Sequence, residues 1–161
     1  MKSTAKVQPH DPGIGKLSEL LCFTIYSANL ALGKAYKPIL DELGLTYTQY
    51  IVIIALWEED NQTVGSLGEK LFLESNTLTP ILKKLETMGY VRRQRDPKDE
   101  RQVRIGLTEA GRRLRLSARG LGVLEATRLT PEEVPKAQQV IAQIRDNLVE
   151  STRERERERK A

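Results

Sequence analysis

The chain has a single cysteine, Cys22, on a segment that places Tyr26, Asn29, Gly33 and Tyr36 at successive steps of four, three, four and three residues. Such steps keep side chains on one face of a helix, so a thiol and two phenols share a stripe. The chemistry open to that stripe is that of a thiolate nucleophile surrounded by phenolic hydrogen-bond donors. Cys22 and Tyr36 are fourteen residues apart, about 21 Å along a straight helix at 1.5 Å per residue. They cannot touch within one chain, so any meeting of the two needs a second chain.

The helix that carries them is expected from about Lys16 to Tyr36, closed by Pro38, which disfavours helix at Lys37. It has a second, apolar stripe through Leu17, Leu21, Ile25, Ala28, Leu32 and Ala35, roughly 100° around from the first. One stripe can serve the core and the other needs a different partner. Ile39–Leu43 reads as a short helical turn ended by Gly44, and Thr48–Glu58, with Tyr50, Ile51, Ile53, Ile54, Leu56 and Trp57, as a helix at the buried centre.

Thr63 then caps a short helix to Leu71, and Ser75 or Thr77 opens another that ends before Gly89. Two short helices with a tight turn between them form a helix-turn-helix pattern. The second has Leu78, Leu82 and Leu85 on one face and Asn76, Thr77, Thr79, Lys83, Lys84 and Thr87 on the other. Short polar and basic side chains of that kind suit base edges and phosphates. Pro80 lies inside this helix, so its first turn is expected to be irregular.

Tyr90–Arg95 and the alternating Val103–Leu107 flank a charged turn, which predicts a β-hairpin with a basic edge. Arg92, Arg93 and Arg95 are candidate phosphate contacts, with Lys83 and Lys84 on the helix. Asp99 and Arg101 can pair to shape the hairpin tip, where Arg101 can also reach a minor groove or a phosphate. Thr108 caps a helix expected to reach about Leu124, frayed around Gly120 and Gly122. After Thr130-Pro131-Glu132-Glu133, a last helix carries Val134, Ala137, Ile141, Ile144 and Leu148 at three-four spacing. That stripe also needs something to pack on. The Arg-Glu alternation of 151–161 puts like charges at i,i+4, so this charged tail is expected to be solvated or a frayed helix end.

With 161 residues, 39% of them apolar, the chain can build one core flanked by helices that bury their stripes against a twin. The expected class is mainly α with a small β-wing, as a homodimer held by its first and last helices. Residues 1–15 read as a disordered leader, 16–150 as the domain and 46–108 as its DNA-binding winged helix. The start lacks the order of a secretory signal, one cysteine rules out an intrachain disulfide, and the apolar run Leu20–Leu32 is too short to span a bilayer. A reducing cytoplasm and no membrane are therefore expected. The only histidine, His10, lies in the leader, which leaves no Cys-His or Ser-His-Asp arrangement and no zinc site. No glycine-rich phosphate loop is present, so neither an enzyme nor a cofactor is expected. From Thr63 to Leu107 there are nine Lys or Arg against six acids, which accounts for most of the net charge of +4 and points to nucleic acid.

Together, Asp99-Glu100-Arg101 followed by Leu107-Thr108 resemble the wing signature of winged helix-turn-helix repressors of the multiple antibiotic resistance regulator (MarR) type, over about Leu17–Ile144. More narrowly, Leu21-Cys22-Phe23 with Tyr26, Tyr36-Lys37-Pro38, Leu45-Thr46-Tyr47 and Leu78-Thr79-Pro80 are similar to the organic hydroperoxide resistance regulators. That resemblance implies that Cys22 is the peroxide sensor and that Tyr36 and Tyr47 of the partner subunit donate hydrogen bonds to its thiolate. It also places Tyr26 and Phe23 around the same pocket, where apolar neighbours favour an organic hydroperoxide. Some members have a second cysteine near 121–129, but this chain has Ala126 and Thr127 there, so oxidation alone or a mixed disulfide with a small thiol must release DNA. Glu74 stands where some relatives have aspartate.

The resemblance implies a dimeric repressor of double-stranded operator DNA with organic hydroperoxide as inducer and a low-molecular-weight thiol as a further partner. Two other readings remain open at this point. A repressor of the same fold could be gated by an aromatic anion in the dimer pocket, or Cys22 could serve a thiol peroxidase.

Overall fold

The computed structural model describes residues 15–97, 99–117 and 126–160. The expected leader, apart from Gly15, and the expected extension of the Thr108 helix over 118–124 lie outside the described residues. The chain divides into two compact units, Met1–Gly120 and Leu121–Ala161. No single helix among the described residues is long and apolar enough to cross a membrane.

The first unit opens with a 3-10 turn, Leu17–Glu19, followed by α1, Leu21–Glu42. The helix starts later than its apolar stripe suggests, because Leu20 is extended (φ −83°, ψ 119°) and breaks the ladder between the two. Pro38 does not close α1, contrary to the sequence expectation. A proline removes only its own N–H bond to the preceding turn, and here the next turn is held by Leu40, 3% exposed, and by a Lys37–Asp41 ion pair at 2.8 Å. Helix α1 ends instead at Gly44, whose φ of 66° lets Leu45 N–H return to the Leu40 carbonyl at 2.9 Å.

Helix α2, Tyr47–Glu58, is set by a capping box: Thr46 Oγ1 accepts from Gln49 N–H at 3.3 Å, and Gln49 Oε1 accepts from Thr46 N–H at 2.9 Å. Its Val52, Ile53 and Leu56 are fully buried and form the centre expected of this segment. Thr63 caps α3, Val64–Leu71, through Ser66 N–H at 3.1 Å, and Phe72 at φ 56° turns the chain into α4, Ser75–Thr87. The turn is tight. A Cβ on Gly68 would lie 2.8 Å from the Leu73 carbonyl oxygen, so only glycine fits there. Despite Pro80, α4 is continuous. The one adjustment in its first turn is that the Glu74 carbonyl accepts from both Thr77 N–H and Leu78 N–H, at 3.0 and 2.9 Å.

Leu67 of α3 and Leu78, Leu82 and Leu85 of α4 pack with α2 over a three-stranded antiparallel sheet of order β1-β3-β2. The hairpin strands are β2, Val91–Arg95, and β3, Val103–Leu107, with Val91 opposite Leu107 and Arg95 opposite Val103. Strand β1, Gln62–Thr63, was not expected. Two residues carry no alternation. What fixes the strand is Gln62, buried with its amide donating to the Ala55 and Glu59 carbonyls at 3.0 and 2.6 Å. Helix α5, Glu109–Ser117, begins on Thr108, whose Oγ1 accepts from Gly111 N–H at 3.1 Å.

In the second unit, Thr130 and Glu133 form a reciprocal cap, at 2.8 and 3.3 Å, that opens α6, Glu133–Glu158. The cap hydrogen bonds hold the Glu133 carboxyl below its ordinary pKa. The helix runs well into the Arg-Glu stretch expected to be solvated or frayed. Once nucleated, it propagates at little cost through Arg and Glu, which are both good helix formers. Val140, Ile141 and Leu148 on α6 are all more than half exposed.

Candidate nucleic-acid interface and thiol site

Helix α4 turns Leu78, Leu82 and Leu85 into the core, and the opposite side is thereby presented to solvent. Asn76, Thr77, Lys83 and Lys84 are exposed there, and Thr79 is half-buried. The hairpin beside it adds exposed Arg92, Arg95 and Arg101. Gly106 faces Arg92 across the ladder, and its missing side chain leaves room for the guanidinium, whose Nε lies 3.4 Å from where a Cβ would stand. Arg93 differs from its neighbours. It is half-buried, its Nη1 lies 4.0 Å from Glu86 Oε2 on α4, and its Nε is buried without a hydrogen-bond partner among the described residues.

Asp99 shapes the hairpin tip, but through the Arg101 backbone and not its guanidinium. Its Oδ1 accepts from Arg101 N–H at 3.1 Å and its Oδ2 from the Gln102 amide at 3.0 Å, which leaves the Arg101 charge exposed.

Three polar groups that support the hairpin are not evident in the sequence. Asp96 is buried against Arg104. Asp60 accepts from Leu107 N–H at 2.8 Å and pairs with Arg112, tying β3 to α5. Burial pushes the Asp60 carboxyl up, but its bonds from Leu107, Arg112 and Asn61 together bring it below the ordinary carboxylate value. The sequence signal for such groups is weak, since single acids in a charged hairpin look like solvated ones.

Cys22 is exposed as the second residue of α1, among backbone N–H groups that no side-chain cap satisfies. Phe23 and Tyr26 lie beside it, with ring centroids 6.5 Å apart. Tyr36 sits fourteen residues further along the same unbroken helix, about 21 Å away. Its ring contacts Tyr47 at 5.1 Å and Tyr50 at 6.1 Å, and Tyr50 meets Trp57 edge-on at 6.1 Å. Tyr50, expected only as core, therefore joins the tyrosine group. Burial first, and the Tyr36 phenol second, push the Tyr47 hydroxyl up, and the same causes act on Tyr50 with Tyr47 added. Both phenols thus remain hydrogen-bond donors through neutral pH.

Trp57 is half-buried, and its indole N–H donates to the Gly111 carbonyl at 2.9 Å. A Cβ on Gly111 would stand 2.1 Å from the Tyr90 carbonyl oxygen. The aromatic row therefore ends where α5, the end of α4 and the start of β2 converge.

A helix-turn-helix with a basic, solvent-facing second helix and an arginine-bearing hairpin beside it defines a winged-helix DNA-binding protein. Its profile over residues 34–115 matches the family described as Transcriptional regulator SarA/Rot, and the chain belongs to that family of winged-helix, MarR-type regulators.

The HTH-type transcriptional regulator TtmR of Methylorubrum extorquens (strain PA1) is 52% identical over 99 residues, 62% of this chain and 51% of that protein. The chain therefore spans about half the length of that relative. The organic hydroperoxide resistance transcriptional regulator of Bacillus subtilis (strain 168) is 47% identical over 103 residues, 64% of this chain and 70% of that protein. Reduced AbfR bound to DNA superposes with a TM-score of 0.69 at 36% identity, covering 83% of this chain and 94% of that one.

Proposed function

We propose that this regulator is a homodimeric repressor that binds operator DNA through α4 and the hairpin wing and is released when an organic hydroperoxide oxidises Cys22. The observation that carries the reading is the placement of an exposed thiol at the start of an unbroken α1 and a tyrosine cluster toward its far end. Two antiparallel copies of such a helix bring each Cys22 to the partner's phenols. The similarity to an organic hydroperoxide resistance regulator supports the choice of oxidant.

Dimerisation follows from what one chain leaves uncovered. Leu17, Leu21 and Tyr26 of the first helical segment and Ile141 and Leu148 of α6 are each about 60% exposed. Apolar side chains in such number mark an interface, and a second copy satisfies both helices. The wing and α4 then read DNA with Asn76, Thr77 and Thr79 near bases and Lys83, Lys84, Arg92, Arg95 and Arg101 on phosphates.

In the chemical step the Cys22 thiolate attacks a peroxide oxygen, the O–O bond breaks, an alcohol leaves and sulfur becomes a sulfenic acid. That group condenses with a small cellular thiol to a mixed disulfide, with loss of water, or oxidises further. A bulkier or differently charged sulfur no longer accepts the phenolic hydrogen bonds, which shifts the spacing of the two recognition helices. The setting is the cytoplasm, where the resting thiol stays reduced.

The deciding experiment is a DNA-binding titration on the gene's own upstream region, with and without an alkyl hydroperoxide, for wild type and Cys22→Ser. Oxidant is expected to release only the wild type. Equal affinity of the reduced and oxidised proteins would refute the reading.

A further inference from the structure

The hairpin carries five arginines, Arg92, Arg93, Arg95, Arg101 and Arg104, and they differ in freedom. Arg104 lies on the middle strand, opposite Gln94 of β2 and Thr63 of β1. Its Nε donates to Oδ2 of Asp96, and its Nη1 donates to the Asn61 carbonyl at 2.8 Å. Asp96 is 5% exposed, and its own N–H donates to the Gln102 carbonyl at 2.9 Å, closing the neck of the hairpin loop. Asn61, at φ 60°, leads into β1. One guanidinium thus fastens three segments: the loop neck, the middle strand and the entry to β1. A buried carboxylate left without that partner is strongly unfavourable, so the pair holds itself together.

We infer that Asp96 and Arg104 form a positioning pair that sets the angle at which the wing meets DNA, with Arg104 making no phosphate contact of its own. The inference rests on the proposed DNA-binding role of α4 and the wing.

Simple charge counting and positioning predict opposite signs for Asp96. As one more negative group in a DNA-binding hairpin, its removal should tighten binding. As the anchor of Arg104, its removal loosens the neck and weakens binding. The salt dependence separates the two roles of Arg104 in the same way. Loss of a phosphate contact lowers the slope of log K against log salt by about 0.9, whereas loss of a brace lowers K at constant slope.

The test compares wild type, Asp96→Asn, Arg104→Gln, Arg104→Lys and the Asp96→Asn/Arg104→Gln double variant on one operator fragment across a salt series. Binding is measured well below each melting temperature. The expected result is binding weakened about tenfold by each single variant, with slopes equal to wild type. The double variant should be no weaker than Arg104→Gln, and Arg104→Lys should fail to rescue, since an ammonium cannot span both acceptors. Tighter or unchanged binding by Asp96→Asn, a slope shallower by about 0.9 in Arg104→Gln, or full rescue by Arg104→Lys overturns the inference. If Arg104→Gln does not fold, Asp96→Asn and Arg104→Lys decide by the same criteria. Failure of the wild type to bind DNA overturns the underlying reading, whereas wild-type binding with any of the contrary variant results sinks this inference alone.

Discussion

Tyr36 and Tyr47 lie ring against ring, 5.1 Å between centroids and tilted by 49°, where α1 meets α2. Tyr36 is held by the continuity of α1 through Pro38, and Tyr47 by its place as the first residue after the Thr46 cap. Two phenols in contact, flanked by Tyr50, give each other a partly dry setting in which the hydroxyl is favoured over the phenolate.

That setting has a pH consequence. Tyr47 and Tyr50 are raised above the ordinary tyrosine value, by burial first and Tyr36 next. A group raised in the folded state contributes stability that is fully present below its unfolded pKa of about 10 and is lost as pH rises through the folded value. The melting temperature is therefore expected to drop above pH 10, and Tyr47→Phe should flatten the drop. An unchanged alkaline profile in Tyr47→Phe would count against the assignment.

Asp60 gives the opposite limb. Its folded value is depressed, so its contribution is present above the unfolded carboxylate pKa and is lost as pH falls through the folded one. Asp60→Asn is expected to lower stability at neutral pH and to make the acid side of the stability profile shallower. Urea unfolding between pH 2 and 7 reads both effects.

Thr46→Ala removes one half of a capping box at the residue preceding Tyr47. The expected loss is about 1 kcal/mol in denaturant unfolding. Thr46→Ser, which keeps the acceptor, should recover most of it.

Trp57→Phe deletes the indole bond to the Gly111 carbonyl and should cost about 1 kcal/mol. Gly111→Ala should cost more, about 3 kcal/mol, because its Cβ would overlap the Tyr90 carbonyl and α5 would have to move off β2. A reversed order in equilibrium unfolding would show that the packing of α5 is looser than the geometry indicates.

On DNA, Lys83→Ala and Arg101→Ala should each lower the salt slope by about 0.9, as lost phosphate contacts do. Arg93→Ala should leave the slope unchanged, since that side chain lies half-buried beside Glu86. The sequence alone placed Arg92, Arg93 and Arg95 together, and the pleat of β2 separates them.

The helix-turn-helix was legible because its determinants are local: leucines at three-four spacing, a capping threonine and the glycine of a tight turn. The hairpin was legible from alternation. What escaped depends on contacts distant in sequence. Strand β1 exists because Gln62 finds the Ala55 and Glu59 carbonyls and pairs with β3. Asp96 and Arg104 look like any two charges until the hairpin folds them together. Pro38 misled for a related reason, since the local penalty is real but the burial of Leu40 and the Gly44 turn outweigh it. In the thiol group, Cys22, Tyr26 and Tyr36 could be read from helical spacing, and Tyr47 from family resemblance. Tyr50 could not, because an apolar helix gives no sign of which aromatic ring turns toward α1.

Trp57 is the chain's only tryptophan, and it stands at the end of a row of rings that begins at Tyr36. Light absorbed by those tyrosines has an acceptor a few ångströms away, and emission from the indole responds to the Gly111 carbonyl it touches. The protein thus contains its own optical probe. Excitation enters beside the phenols, and fluorescence leaves from the seam between α5 and the DNA-binding elements.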